Sequence, residues 1–249
     1  MTPTQPTAQD QLAQARAWQR DSSRVTVLSG AGTSAESGVP TFRGPGGLWR
    51  DFKPEQLATP EAFHSNPKLC WEWYDWRRSL IAQVKPNLGH FALAQLEQRL
   101  QDSFTLITQN VDGLHNRAGS QRILKIHGDI WWTLCLSCNR IQSDFRVPLP
   151  DLPPRCSCGG MLRPGVVWFG ESLPTLTWEQ ARKAACDCDL FLIIGTSAVV
   201  YPAASLAPLA QSHGARLIEI NMEETPLSGS ADLSLRGASG EILPQLIDS

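Results

Sequence analysis

Four of the seven cysteines fall in two tight pairs, Cys135-x-x-Cys138 and Cys156-x-Cys158. Such pairs suggest a metal site rather than a disulfide framework in a reducing compartment. Four thiolates suit tetrahedral zinc, and with every position filled by cysteine no open place remains for water, so one structural ion is expected. Cys186 and Cys188 repeat the C-x-C spacing but run straight into an apolar segment, where packed thiols are expected instead. A second chemical cluster is "WEWYDWRR" (71–78). At helical period Leu69, Trp73, Trp76 and Leu80 form one apolar stripe, the expected core face, with Cys70, Tyr74, Arg77 and Ile81 beside it. Arg78 has Asp75 three residues back, whereas Arg77 has no acid three or four positions away on either side. A third is "VLSGAGTSAESG", which fits G-x-G-x-x-[GA] through Gly30, Gly32 and Ala35. Glycines there let a backbone approach a pyrophosphate at a helix N-terminus, although a glycine turn that only packs is an equal alternative for this motif alone. Gly38 and Pro40 should cut the following helix short, and no acid about 20 residues on ends a second strand, so an ordinary dehydrogenase is disfavoured. Next come Phe42 and Arg43, an aromatic that could wall off a reactive ring and an arginine that could meet phosphate.

These groups need elements to position them. "VTVLSGAG" (25–32), "SFTLITQN" (103–110), "DLFLIIGTS" (189–197) and "ARLIEIN" (215–221) read as short buried strands ending in small or polar residues. Helical stretches are expected at 8–20, where Leu12, Ala15 and Trp18 share a face, at 87–100, at 202–213 and in the closing "GEILPQLI". Alternating strands and helices predict an α/β fold with a mostly parallel sheet, whose ligands bind beyond the carboxyl ends of the strands. Here those ends read GAG, TQN, GTS and IN. Between about 129 and 165 the texture changes to cysteine pairs, "VPLPDLPP" and "CGG", as in a small metal-held insert. The chain of 249 residues suffices for one large domain carrying such an insert. A net charge of −2 argues against a general attraction to nucleic acid, and no apolar run approaches the roughly 20 residues of a membrane span. The polar N-terminus lacks an apolar signal core, so a cytoplasmic monomer is the expectation.

Seven segments in order, "GAGTSAESGVPTFRG", "TQNVDGLH", "KIHG", the pair at 135–138, "RPGVVWFGE", "GTSAVVYPAA" and "EIN", resemble the sirtuins, NAD-dependent protein lysine deacylases, over residues 22 to 245. The resemblance implies a Rossmann-like NAD domain from residues 1–128 and 165–249 and a zinc module at 129–164. A helical part near 45–85 would contribute to the small domain and the acyl pocket. It implies that His127 is the catalytic base, suited by an imidazole pKa near neutrality. The implied chemistry begins with attack of the acyl oxygen on C1′ of the nicotinamide ribose and departure of nicotinamide, through an oxocarbenium-like transition state. His127 would then take a proton from the ribose hydroxyl, giving free lysine and O-acyl-ADP-ribose. Asn110 and Asp112 would hold the nicotinamide amide and ribose, since an amide needs both a donor and an acceptor; an Asx turn is the plainer reading of the same pair. Gly30, Ala31, Gly32, Phe42, Arg43, Gln109, Gly195, Thr196, Ser197, Asn221 and Ser239 would complete the NAD site. Val167 and Phe169 would line the substrate, with a strand at 166–171 pairing with the backbone of acyl-lysine proteins or peptides. The second cysteine pair is tighter than the family's usual one.

Within sirtuins, Tyr74 and Arg77 in W-E-x-Y-x-x-R-R resemble the branch that removes acidic acyl groups. Arg77 could grip the distal carboxylate of succinyl- or malonyl-lysine with two parallel hydrogen bonds, the phenol of Tyr74 adding a third. Ala58 lies where a small residue would leave room for the longer chain. Pairing of Arg77 with a distant acid is the plainer alternative. Mono-ADP-ribosyl transfer, a non-catalytic NAD sensor and a zinc hydrolase are the competing functions; the last requires an open coordination site.

Overall fold

Short runs of apolar residues build the centre of the molecule, seen in a computed structural model that describes residues 7–41 and 56–247. Six strands form one sheet in the order β3 (Ile123–Lys125), β2 (Phe104–Thr108), β1 (Val25–Ser29), β7 (Leu190–Ile194), β8 (Arg216–Asn221) and β9 (Leu233–Arg236). Every neighbouring pair is parallel. Alternate residues of each strand face opposite sides. Val25, Val27, Leu106 and Leu192 pack with α1 (Ala8–Asp21), α5 (Leu88–Leu100) and α9 (Ser239–Ile247) on one side. Leu28, Ile107 and Ile193 pack with α7 (Thr175–Asp187) and α8 (Leu206–Ser212) on the other. Burial on both faces explains why these strands read as unbroken apolar runs, and each fully buried Leu or Ile contributes roughly 2 kcal/mol. The expected helix at 202–213 is divided: a tight turn at Ala203–Ser205 precedes α8.

Three antiparallel strands make a second, smaller sheet in the order β5 (Ile141–Ser143), β4 (Gly128–Cys135) and β6 (Leu162–Val166). Against it lie α3 (Pro60–Ser65) and α4 (Pro67–Gln83). Both begin with proline at the first helical position, and Thr59 and Asn66 cap them by accepting the amides of Ala62 and Leu69.

The structure corrects two expectations. On α4, of the stripe Leu69, Trp73, Trp76 and Leu80 only Trp73 is buried; Cys70, Tyr74, Arg77 and Ile81 are buried, with Trp71 and Arg78. Periodicity tells which residues share a face, but α4 is covered from more than one side, so its buried surface is wider than one stripe and includes charge. The strand expected at 166–171 ends at Val166. Beyond it the amides diverge: Val167 donates to the His127 carbonyl at 2.9 Å and Phe169 to the Ala58 carbonyl at 3.0 Å, before the chain turns at Gly170.

The strand ends are level, because Ser29 stands opposite both Thr108 and Ile194. At that level Gly195 has φ +57, and a Cβ there would come within 2.3 Å of the Thr33 amide nitrogen. Gly195→Ala is therefore expected to lower stability by about 2 kcal/mol or more, read as a shift of the urea midpoint at constant slope.

Candidate functional site

The loops leaving the strands are tied to one another by backbone bonds. The Gly30 amide donates to the Ile194 carbonyl (2.9 Å), Gly32 to Gly195 (2.7 Å), Gln109 to Ser29 (3.0 Å) and Gly195 to Ile220 (3.0 Å). A Cβ on Gly30 or Gly32 would lie 2.8 Å from the Gly195 carbonyl oxygen, so glycine is required at both. A helix of only five residues, α2 (Ala31–Ala35), follows, and Gly38 leaves it at φ +91, as its sequence predicts. Side chains extend the lacing: Gln109 Nε2 donates to Thr196 Oγ1 (2.9 Å) and Asn221 Nδ2 to the Thr196 carbonyl (2.8 Å). Ser239 is buried, and its Oγ donates to Glu36 at 2.8 Å. Ser197 is exposed, and Phe42 and Arg43 lie outside the described residues.

A narrow cleft opens beside this lacing, lined by Ala31, Ser34, Val39, Pro40, Arg77, Asn110, Val111 and Asp112. Asn110 Nδ2 donates to the Gly30 carbonyl (2.9 Å) and to Ser34 Oγ (3.2 Å). Asp112 accepts the Leu114 amide and Ser34 Oγ, both at 2.8 Å. Burial raises its pKa above the ordinary carboxylate value, with those two bonds and Arg77 opposing. Burial likewise lowers the Arg77 guanidinium, opposed by Tyr74 and Asp112. Arg77 sits over the Trp73 ring at 4.8 Å.

His127 stands at the head of β4. A carbonyl can only accept, so the 3.1 Å contact between Nδ1 and the Gln109 oxygen puts the ring proton on Nδ1 and the lone pair on Nε2. Burial lowers its pKa, so the ring is neutral at pH 7. Tyr74 and Ala58 share one apolar cluster with Trp168. Trp168 Nε1 donates to Tyr74 Oη at 2.9 Å, which leaves the phenolic proton to be offered elsewhere. Burial pushes Tyr74 up to about 12, so it stays a donor. Val167 is half-buried and Phe169 exposed, one after the other past the end of β6.

The four cysteines of the two pairs bring their sulfurs within 4.8 Å of one another. Cys135 and Cys158 are 3.5 Å apart, Cys138 and Cys156 3.9 Å. A tetrahedron of ~2.3 Å zinc–sulfur bonds has edges of roughly 3.8 Å. The donor set therefore fits zinc, tight second pair included, and leaves no place for a catalytic water. Cys188 is buried, as packed thiols should be, whereas Cys186 is only half-buried.

Reading by motif missed a layer beneath the cleft. His90 receives the Asn87 amide on Nδ1 (3.3 Å) and faces Ser34 Oγ through Nε2 (3.4 Å). His115 meets Ser29 Oγ at 2.9 Å, and the two imidazole rings are 4.8 Å apart. The spacing of Asn87 and His90 is that of a capping box, the one sequence signal that could have found them.

Chelation of the protein is expected to release one zinc per chain, make four thiols reactive and disorder the small sheet, read by metal analysis, thiol titration and near-UV circular dichroism. The buried imidazoles set an acid limit. Burial lowers His90 to about 4, and burial with neighbouring positive charge lowers His115 well below 6.5. Below pH 6.5 the unfolded chain binds more protons than the folded one, so stability is full above that pH and declines as pH falls towards 4. His90 alone accounts for about 3 kcal/mol of this decline, measurable as unfolding free energy against pH.

Three comparisons bear on this geometry. The Sir2 family model matches residues 30–202. An NAD-dependent protein deacylase of Aquifex aeolicus (strain VF5) is 52% identical, over 90% of this chain and 94% of the relative. One of Ralstonia nicotianae (strain ATCC BAA-1114 / GMI1000) is 49% identical, over 94% and 95%. Among solved structures, a Sir2 homolog–NAD complex superimposes with TM-score 0.89 at 44% identity, covering 95% of this chain and 92% of the other. Sir2Tm bound to a propionylated peptide gives 0.83 at 29%, covering 95% and 97%.

Proposed function

The chain belongs to the Sir2 family, and we infer that its reaction is NAD-dependent deacylation of protein lysines and propose that it favours acyl groups ending in a carboxylate. Succinyl- and malonyl-lysine come first in this reading, with acetyl-lysine also accepted. The observation that carries it is a buried phenol and a buried guanidinium one helical turn apart on α4, with Arg77 lining the cleft that also holds Asn110 and Asp112.

The interlocked glycines support NAD binding, because Gly30, Gly32 and Gly195 keep side chains out of the surface that the strand ends present. Gln109, Thr196 and Asn221 would hold ribose and phosphate, Ser239 the adenine end, and Asn110 with Asp112 the nicotinamide amide. When bound, NAD supplies an electrophilic ribose carbon with nicotinamide as its leaving group. Asn110 and Asp112 act by orientation: each is held by at least two hydrogen bonds, so little reorganisation is needed when an amide arrives. His127 acts by proton transfer at Nε2, kept as acceptor by the Nδ1 bond to Gln109. Val167 and Phe169 lie where the backbone has left the ladder of β6, which supports an extended peptide lying along them. Residues 129–164, with the zinc thiolates, serve as the small module that carries this segment. Reduced thiolates suit a cytoplasmic setting; among the described residues no helix is long and apolar enough to cross a membrane, and the chemistry requires only one copy of the chain.

A carboxylate reaching Arg77 meets a cation that burial has deprived of water, so the attraction is weakly screened. Tyr74 can add its proton, because its oxygen already accepts from Trp168. An acetyl group makes neither contact. One peptide carrying acetyl-, succinyl- or malonyl-lysine, assayed with and without NAD, tests the reading through kcat/KM. All turnover should require NAD, and the acidic acyl groups should be preferred. Arg77→Met is expected to lower desuccinylation about 100-fold, in line with loss of a charge-assisted bidentate pair, and deacetylation far less. An equal fall in both would defeat the clamp, and NAD cleavage without acyl-lysine would favour ADP-ribosyl transfer instead.

A further inference from the structure

Arg78 is the part of the "WEWYDWRR" motif that the proposed clamp does not use. Its side chain is fully buried. Nη2 donates to the backbone carbonyl of Asp144 and to that of Arg146 (3.2 Å), and lies 3.7 Å from the Asp144 carboxylate. The guanidinium stacks on Trp131 of β4 at 5.2 Å, while Nε and Nη1 are buried without a hydrogen-bond partner among the described residues. A buried cation so incompletely satisfied is a poor source of stability, and an apolar residue would fill the space as well. What an apolar residue cannot do is fix rotation, since it packs comparably at several angles, whereas one Nη2 donating to two carbonyls at once is directional.

The other polar anchors along this part of α4 reach the same region. Trp71 Nε1 donates to the Leu162 carbonyl (2.8 Å), and Asp75 accepts the Leu149 amide (3.0 Å). Leu162 stands directly across the ladder from the thiolate residue Cys135. The far end of α4 is held separately: Arg117 donates to the carbonyls of Ile81 (3.2 Å) and Val84 (2.6 Å). The helix is thus fixed at its C-terminal end by α6 (Leu114–Arg117), while its rotation is held by the cysteine-bearing module together with the bond from Trp168 to Tyr74.

We propose that Arg78 is a positioning residue for acyl choice: by locking α4 onto the metal-held sheet it sets the direction in which the adjacent Arg77 presents its guanidinium. A helix turns 100° per residue, so freedom at Arg78 becomes misdirection at Arg77. The inference rests on the reading of Tyr74 and Arg77 as a carboxylate clamp, and it makes the order of the zinc site a determinant of selectivity.

The test uses zinc-loaded full-length protein and compares wild type, Arg78→Met and Arg77→Met on succinyl and acetyl forms of one peptide, with amide hydrogen exchange over 70–78 and metal content as readouts beside activity. For Arg78→Met the succinyl KM should rise about 10-fold with kcat within about 3-fold. Acetyl constants should stay within about 3-fold, exchange over 70–78 should quicken, and zinc should remain at one per chain. If Arg78→Met loses zinc or fails to fold, Asp75→Ala, which releases the Leu149 amide from a half-exposed position, carries the test with an expected 3-fold fall in the succinyl-to-acetyl ratio. A ratio unchanged in the folded variant, while Arg77→Met loses succinyl turnover far more than acetyl turnover, overturns the role of Arg78 and leaves the clamp standing. An equal fall of both activities in Arg77→Met overturns the clamp itself.

Discussion

The bond from the Gly32 amide to the Gly195 carbonyl, 2.7 Å long, is the constraint on which the site depends. It joins the loop after β1 to the loop after β7, and neither can move without the other. Parallel pairing in strict register brings the strand ends level, and glycine lets the two backbones touch at that level. The groups placed next to this contact inherit its rigidity. Thr196 follows Gly195 and collects the side chains of Gln109 and Asn221; Gly30 precedes Gly32 and accepts Asn110. Four strands therefore contribute to one surface whose shape is set by backbone geometry, which side-chain motion cannot easily blur.

Around that surface the protein buries several polar groups. Asp112, Arg77, His90 and His115 are all nearly inaccessible to water. Each is shifted toward its neutral form by burial, and each is retained by hydrogen bonds or by a neighbouring charge. A low local dielectric strengthens whatever charge–charge contact a ligand completes. Burial of the two imidazoles costs stability on acidification, whereas burial of Asp112, whose pKa is raised, opposes that loss.

How much of this was legible beforehand follows the range of the interactions involved. Four strands of the large sheet, β1, β2, β7 and β8, were readable because burial on both faces leaves an apolar run between small residues, and "VTVLS" and "LFLII" carry that signal locally; the short edge strands β3 and β9 carry no such run and were not read. The thiolate set was readable because both pairs are local, although only the fold brings residues 135 and 158 together. The face of α4 was misread because its burial is decided by Asp144, Leu149, Leu162 and Trp168, far away in sequence and unreadable from period alone. The end of β6 was misread for a similar reason: apolar "VVWF" is compatible with a strand, and only the separate destinations of the Val167 and Phe169 amides stop it. His90 escaped notice because it belongs to no contiguous chemical motif, and Ser34 because the glycine motif that contains it draws attention to backbone rather than to side chains.

The β8–β9 end of the sheet shows the same economy carried to a loop. Glu219 on β8 is fully buried. Burial opposes its ionisation, yet bonds from Ser228 (2.6 Å), Thr225 and Arg236 (2.8 Å) outweigh this, and its pKa lies below the ordinary value. Ser234 adds a further bond at 3.2 Å. One carboxylate thereby gathers the chain between β8 and β9, which has few apolar residues with which to pack. Asn221 lies two residues beyond Glu219 at the point where that chain departs, and its carbonyl takes the Gly237 amide at 3.1 Å while its side chain reaches Thr196. If the connection were free, Asn221 would retain its bond to Thr196 but lose the support behind it. A buried charge with four donors is a costly way to fix a loop by stability alone. It is well suited to holding one residue at a fixed height above a sheet, because each of its bonds is directional and apolar packing is not.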